Sequence, residues 1–316
     1  MGKRFLAVLL LTLVVAVSFA AYPTGPIKVV VPYAAGGASD VQVRIIGKYV
    51  KQLFGWDFAV VNITGGGGSI GAREVLRAKP DGYTVLWYHQ SIFSNYHVGT
   101  AEFNYYDFTP VCIATRGNRV VIARPDSPWK DLKDAIEDAK RNPGKIRLGA
   151  EIGATSHFQV IPMQLAANNG FIITASAGGD KDRITKILGG HMDLSPIALS
   201  AAVPFLKSGE LKALAVLSPE RDPFLPDVPT AKELGLEELV FTQDQIFLMP
   251  KGTPQEIVET FANAIKQVLQ FKDCVDELAE KAFAIPFYMD GEEMLNFLKW
   301  ENERFDQFAR AAGLKK

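Results

Sequence analysis

Pro32-Tyr33-Ala34-Ala35-Gly36-Gly37-Ala38-Ser39-Asp40 follows the β-branched run Ile27–Val31, and Gly65-Gly66-Gly67-Gly68-Ser69-Ile70-Gly71 follows the run Phe58–Asn62. Each reads as strand, glycine turn, helix start. The first turn of a helix exposes backbone N–H groups and the positive end of the macrodipole, and glycine lets a ligand approach that backbone. Neither turn carries Lys or Arg. Side by side they would form an uncharged cradle for a small anion, a carboxylate foremost.

The same grammar continues along the chain. Residues 41–54 place Ile45, Ile46, Tyr49, Val50 and Leu53 on one helical face, 69–78 read as a second helix, and 83–88 as a third strand after the turn Pro80-Asp81-Gly82. Strands are expected at 120–124, 146–150, 171–175, 212–217 and 241–248, with helices over 129–139, from the turn 151–157 to about 168, and up to Leu188. The proline-rich stretch 219–229 cannot be regular structure, and Thr253-Pro254 reads as an N-cap followed by proline at the first helical position. Strand–helix alternation implies parallel strands with helices on both faces. The expected fold is α/β in two lobes, 21–121 with 246–316 and 122–245, with a hinge and a ligand cleft between them.

Lys3 and Arg4, an apolar run from Phe5 to Val17, and small residues before Ala21 read as a secretory signal peptide over 1–20, so the chain is expected to be exported. The run is short for a membrane span, which needs about 20 residues. The formal charge of −1 becomes −3 without Lys3 and Arg4, a balance that argues against nucleic acid as a partner. About 295 residues remain, enough for one large domain or two lobes. Cys112 and Cys274 are far apart in sequence, and whether they pair is open.

Gly66-Gly67-Gly68-Ser69-Ile70-Gly71 matches the dinucleotide pattern G-x-G-x-x-G, but the next strand ends in Tyr88-His89-Gln90 with no acid to hold a ribose. No lysine follows the glycines as a phosphate loop requires, no G-x-S-x-G elbow exists, and the four histidines lack zinc spacing. No cofactor, metal or catalytic group is expected, and no enzyme. The candidate ligand turns are Tyr33, Ala35, Gly36, Gly37, Ser39 and Asp40; Gly67, Gly68 and Ser69; His89 at a strand end; Gly153, Ala154, Thr155, Ser156 and His157; and Gly178, Gly179 and Asp180. Thr155 and Ser156 would cap a helix or donate a hydroxyl to an anion. Asp40 and Asp180 would either offset a helix dipole or accept a hydrogen bond from a ligand. Arg116 and Arg119 could reach a second carboxylate, with a solvated surface pair as the simpler reading.

The ordered blocks Tyr22-Pro23, Val31-Pro32 with Ala35-Gly36-Gly37 and Asp40, Asn62 with Gly65 to Gly68, Pro80-Asp81-Gly82-Tyr83-Thr84, Asn142-Pro143-Gly144, Gly153 to His157, Leu188-Gly189-Gly190-His191, Asp227-Val228-Pro229-Thr230 and Gly252-Thr253-Pro254 resemble the receptors of tripartite tricarboxylate transporters, the Bug family. The resemblance spans nearly all of the chain after the signal peptide. It implies a monomeric periplasmic receptor that holds a small organic di- or tricarboxylate between the Ala35–Asp40 turn and the Gly153–His157 turn. The receptor would deliver it to the large and small membrane subunits of a permease. An exported sensor of a carboxylate or amino acid, or an exported hydrolase, are the alternatives. Where many relatives read Pro-Tyr-Lys-Gly, this chain reads Ala175-Ser176-Ala177-Gly178-Gly179-Asp180, and Gln243-Asp244-Gln245 replaces a more usual aromatic. Both departures bear on which acid is bound, because one large side chain and one cation are missing from those places.

Overall fold

The structure is a computed structural model that describes residues 22–314. The expected signal peptide, 1–20, lies outside the described residues. Strand β1 (Ile27–Val31), helix α1 (Ala38–Phe54), β2 (Phe58–Asn62), α2 (Ser69–Leu76), β3 (Thr84–Tyr88), α3 (Ser91–His97) and β4 (Phe108–Gly117) begin the first lobe. The second lobe runs through β5 (Arg119–Ala123), α4 (Leu132–Arg141), β6 (Arg147–Ala150), α5 (Thr155–Ala166), β7 (Ile172–Ala175), α6 (Gly179–Leu188), β8 (Leu194–Ala198), α7 (Leu199–Lys207) and β9 (Lys212–Val216). The chain then returns through β10 (Gln243–Pro250), α8 (Gln255–Val268), α9 (Lys272–Ala282), β11 (Ala284–Met289) and α10 (Gly291–Ala311). Stretch 219–229 contains no helix or strand.

Two sheets organise these elements, one in the order β11-β4-β10-β3-β1-β2 and one in the order β7-β6-β8-β5-β9. Membership changes between Gly117 and Arg119, and again between Val216 and Gln243. Both sheets are mixed, which corrects the expectation of parallel strands. β1 pairs in parallel with β2 and β3, and β6 with β7 and β8, but β10 is antiparallel to β3 and β4, β11 to β4, and β5 to β8 and β9. The antiparallel strands include those that carry the chain between lobes. A strand leaving one sheet for the other and a strand returning beside it must run in opposite senses.

The continuous apolar reading of β1 has a physical cause: both of its faces are covered. Ile27, Val29 and Val31 enter a core with Val43, Ile46 and Val50 of α1, whereas Val30 enters a second core with Leu86 and Ile92. That second core continues into the other lobe through Val121, Leu148 and Leu194. Its junction is Phe305 of α10, whose ring centroid lies 5.4 Å from Phe93 of α3, 4.7 Å from Phe158 of α5 and 5.4 Å from Phe241. Helix α10 therefore straps both lobes on one side.

One local expectation is corrected. Helix α8 starts one residue later than expected, with Pro254 at the N-cap, and the Thr253 hydroxyl donates to the Pro250 carbonyl at 2.8 Å. Cys112 and Cys274 are both free and buried.

Candidate functional site

The turn after β1 leads into α1 through Gly36, whose φ of +74° is left-handed, and Gly37, the N-cap, in extended geometry. No side chain caps this helix. Its first N–H groups therefore stay available, as helix geometry leaves them without intrahelical partners. Asp40 serves this turn from within. Its carboxylate accepts from Gly36 N at 2.8 Å, from Arg44 Nε at 3.0 Å and from Asn62 Nδ2 at 2.9 Å. Burial pushes its pKa up, yet the hydrogen bonds from Arg44, Gly36 and Asn62 outweigh that and hold it below the ordinary carboxylate range. Asp40 is thus a brace of the turn. Ser39 is likewise engaged: its hydroxyl meets Gln245 Nε2 at 2.8 Å and its carbonyl accepts from Trp87 Nε1 at 2.9 Å.

The second glycine turn backs this site. The Gly67 carbonyl accepts from Tyr88 Oη at 3.0 Å and Asn95 Nδ2 at 2.9 Å. A Cβ at Gly68 would lie 2.6 Å from the Tyr88 ring, and one at Gly67 2.7 Å from Asn95. Close packing behind Tyr88 accounts for these glycines, and Ser69 is buried in the same turn.

Tyr33 and His89 meet in a parallel stack, with centroids 4.7 Å apart and planes 1° from coplanar. His89 Nδ1 accepts from Ser91 N at 3.2 Å, so the proton of the neutral ring sits on Nε2, where it can be donated. Burial, followed by the positive charge of Arg119 and opposed by Asp180, pushes the His89 pKa down to about 3. The ring is therefore neutral at physiological pH. The Tyr33 hydroxyl is buried with no hydrogen-bond partner, and burial raises its pKa well above the ordinary value.

The second lobe presents the start of α5. Gly153, at φ +81°, and the N-cap Ala154 lead in, again without a side-chain cap. Thr155 and Ser156 do not cap the helix, contrary to one of their two expected roles. Thr155 Oγ1 shares buried hydrogen bonds with Ser91 Oγ at 3.0 Å and Ser94 Oγ at 3.4 Å, so the lobes touch here. Ser156 Oγ accepts from Glu151 N at 3.0 Å, and His157 Nδ1 accepts from Gly153 N at 3.2 Å. Burial lowers the His157 pKa.

The third turn, Gly178-Gly179, opens α6, and Asp180 lies in its first turn. Asp180 accepts from Arg119 Nη1 at 3.0 Å, from Ala198 N at 3.2 Å and from Arg183 Nη2. Although burial raises its pKa, the charges of Arg119 and Arg183 bring it below the ordinary range. Arg119 is not part of a solvated surface pair, and neither is Arg116, whose Nε and Nη2 donate to buried Asp244 at 2.6 and 2.8 Å. The second lobe thus supplies buried cations from Arg119 and Arg183, although the segment 175–180 carries none.

The structure brings Tyr33, His89, Thr155 and Asp180 into one interlobe neighbourhood, linked by Ser91 and Arg119. Sequence reasoning missed Ser91, Ser94, Gln159 and Arg183. Only their spacing hinted at them, since Gln159 lies four residues after Thr155, on the same face of α5. Among the described residues no group of His, Cys, Asp and Glu is placed to hold a metal ion, and no helix is long and apolar enough to cross a membrane.

The profile of the "Tripartite tricarboxylate transporter family receptor" matches residues 43–314. The chain belongs to this family. Protein BugT of Bordetella pertussis is 28% identical over 304 residues, covering 95% of this chain and 93% of BugT. Among solved structures, an R. palustris protein with adipate superposes with a TM-score of 0.79 at 27% identity, covering 92% of this chain and 98% of that one. MatC from Rhodopseudomonas palustris with bound malate superposes at 0.74 and 25% identity, covering 91% and 99%. The two-lobe architecture is therefore that of this family's solute-binding receptors.

The buried titratable groups make stability pH-dependent. An unfolded histidine titrates near pH 6.5, so between about pH 6.5 and 3 the unfolded chain holds a proton that folded His89 refuses. The unfolded state binds more protons there, and stability falls with pH by about 1.4 kcal/mol per unit from this group. Glu301 acts oppositely. Burial raises its carboxyl to about 7, so the folded state holds the extra proton between about pH 4.5 and 7 and gains stability as pH falls. Urea unfolding of wild type and His89→Gln at a series of pH values separates them. The wild-type minus variant difference should fall by about 1.4 kcal/mol per unit from pH 6 to 4, and a flat difference would contradict a neutral, buried His89.

Proposed function

We propose that this protein is an exported receptor that encloses a small organic dicarboxylate between its lobes and hands it to the membrane subunits of a tripartite tricarboxylate permease. The observation that carries this reading is the pair of helix N-termini without side-chain caps, α1 in one lobe and α5 in the other, flanking the neutral Tyr33–His89 stack. Backbone N–H groups and a neutral imidazole donor suit a carboxylate, whose charge they stabilise without a neutralising ion pair. Relatives with adipate and malate support the ligand class.

The proposed mechanism is hinge closure. Ligand contacts to both lobes stabilise the closed arrangement that the permease recognises, and the Thr155 contact with Ser91 and Ser94 belongs to that arrangement. The proposed lobes are 21–121 with 246–316 and 122–245, the protein acts as a monomer in the periplasm, and its N-terminal 1–20 is removed on export. It needs no cofactor.

A thermal-shift series on the mature chain starting at Ala21, unfolded and refolded to strip carried solute, tests the reading. Adipate or malate at about 100 times its Kd should stabilise by about 2.7 kcal/mol and raise Tm by about 5 °C. Shifts with neutral sugars alone would overturn the carboxylate reading, and turnover of a carboxylate ester would favour a hydrolase.

A further inference from the structure

Beyond the two backbone cradles, the second lobe holds a polar network with hydrogen-bond donors left over. Arg119 joins it from the start of β5, Gln159 from α5, and Asp180 and Arg183 from α6. Arg119 Nε donates to Gln159 Oε1 at 3.3 Å and its Nη1 to Asp180 Oδ2 at 3.0 Å, while Arg183 Nη2 donates to Asp180 Oδ1. Arg183 and Gln159 are almost fully buried, 2% and 1% exposed. Arg183 Nε and Gln159 Nε2 are nonetheless buried without an acceptor.

The orientation of Gln159 is fixed by chemistry. A guanidinium only donates, so the atom facing Arg119 must be the amide oxygen, and the NH2 is the atom left over. Asp180 takes Arg119 Nη1 and Ala198 N on Oδ2 and Arg183 Nη2 on Oδ1, but it lies outside hydrogen-bond reach of Arg183 Nε and Gln159 Nε2. A buried donor without a partner costs about 1–3 kcal/mol, more when charged. Two of them in one network call for an acceptor from outside the chain.

We propose that Arg183 and Gln159, backed by Arg119, form a second anion subsite that receives the far carboxylate of a dicarboxylate whose near carboxylate rests on the α1 and α5 N-termini. The inference rests on the carboxylate-receptor reading above and adds the selection of two-ended over one-ended acids. Position supports it: Gln159 lies one helical turn beyond Thr155 on the same face, and Arg119 exerts its charge on both His89 and Tyr33. Glu151 faces the same cluster. Burial lifts its carboxyl above the ordinary range while Arg183 draws it back, and the ion pair that Arg183 makes is with Asp180. The unpartnered oxygens of Asn118, between β4 and β5, and of Gln245, on β10, do not form a matching cation site. The Gln245 amide can turn over, because its partner, the Ser39 hydroxyl, both donates and accepts.

Titration calorimetry on the refolded, ligand-free mature chain tests the subsite with pairs of equal carbon number: adipate with hexanoate, and succinate with butyrate. Wild type should bind at least one dicarboxylate at least about tenfold more tightly than its one-ended partner. Arg183→Gln should erase that ratio by weakening the dicarboxylate about tenfold or more, leaving the monocarboxylate within about twofold. Should Arg183→Gln fail to fold, Gln159→Met, which removes the amide with little change of volume, should lower the same ratio about threefold or more. Equal wild-type affinities within each pair, or a folded variant with an unchanged ratio, would overturn the subsite and leave the receptor reading standing. Wild type that binds no member of either pair would overturn both.

Discussion

Asp244→Ala is expected to destabilise the ligand-free protein by about 3–5 kcal/mol, read by urea unfolding of the refolded chain. Asp244 is fully buried on β10, directly opposite Arg116 of β4 in the antiparallel register. Two parallel hydrogen bonds of 2.6 and 2.8 Å join the carboxylate to the guanidinium, which also lies 3.5 Å from the Phe287 ring centroid. Thr242 Oγ1 donates to the same carboxylate at 3.2 Å. Removing the acid leaves an Arg116 side chain that is only 14% exposed without its hydrogen-bonded counter-charge, and the desolvation it has already suffered is no longer offset. The position magnifies the effect, since β4 and β10 are the strands through which the chain leaves and re-enters the first lobe. The double replacement Arg116→Met with Asp244→Leu should recover most of the loss, because an apolar pair of similar size carries no desolvation cost. A loss below about 1 kcal/mol for Asp244→Ala would mean that the pair is hydrated in solution.

The pair also marks where sequence reading stops. Arg116 and Asp244 are 128 residues apart, and nothing local in Arg116-Gly117 or Gln243-Asp244-Gln245 announces their partnership. Gly36-Gly37, Gly153 and Gly178-Gly179 were legible as turns because left-handed backbone is a local demand that glycine meets at little cost. Strands β1, β2, β3 and β6 were legible from compact apolar runs. By contrast, β4, β8 and β11 carry prolines or interleaved polar residues, as in Phe108-Thr109-Pro110, Leu194-Ser195-Pro196 and Ala284-Ile285-Pro286, and do not stand out by pattern. Strand direction was lost for the same reason: pairing is a tertiary choice. Asp40 shows the limit at single-residue scale. Its place in the first turn of α1 was readable, but its partner Asn62 arrives only at the end of β2, and that bond helps turn the carboxylate inward to the glycine turn.

Gly37→Val should abolish carboxylate binding, weakening adipate or malate by about 100-fold or more, while the protein stays folded. Gly37 is the N-cap of α1 at φ −75°, ψ 167°, an extended geometry that any residue adopts. A Cβ there would meet only the Ala34 carbonyl, at 3.1 Å, so a small adjustment of the exposed turn accommodates it. Valine is a poor N-cap, yet glycine caps only through its backbone, and the expected stability loss is about 1 kcal/mol. Binding suffers far more, because the branched side chain covers the free N–H groups at the helix start and blocks a carboxylate from reaching them. Losing two charge-assisted hydrogen bonds of about 1.5–3 kcal/mol each gives the 100-fold figure. Gly153→Val is a less clean test: at φ +81° any side chain strains the backbone, so lost affinity there would mix sterics with distortion. Gly68→Val is worse, since its Cβ would drive into Tyr88 behind the Tyr33–His89 stack. The decisive measurement is calorimetric titration of folded Gly37→Val, its Tm checked against wild type. Affinity within about threefold of wild type would remove the α1 terminus from the site, because no carboxylate held there by backbone N–H groups could tolerate the valine.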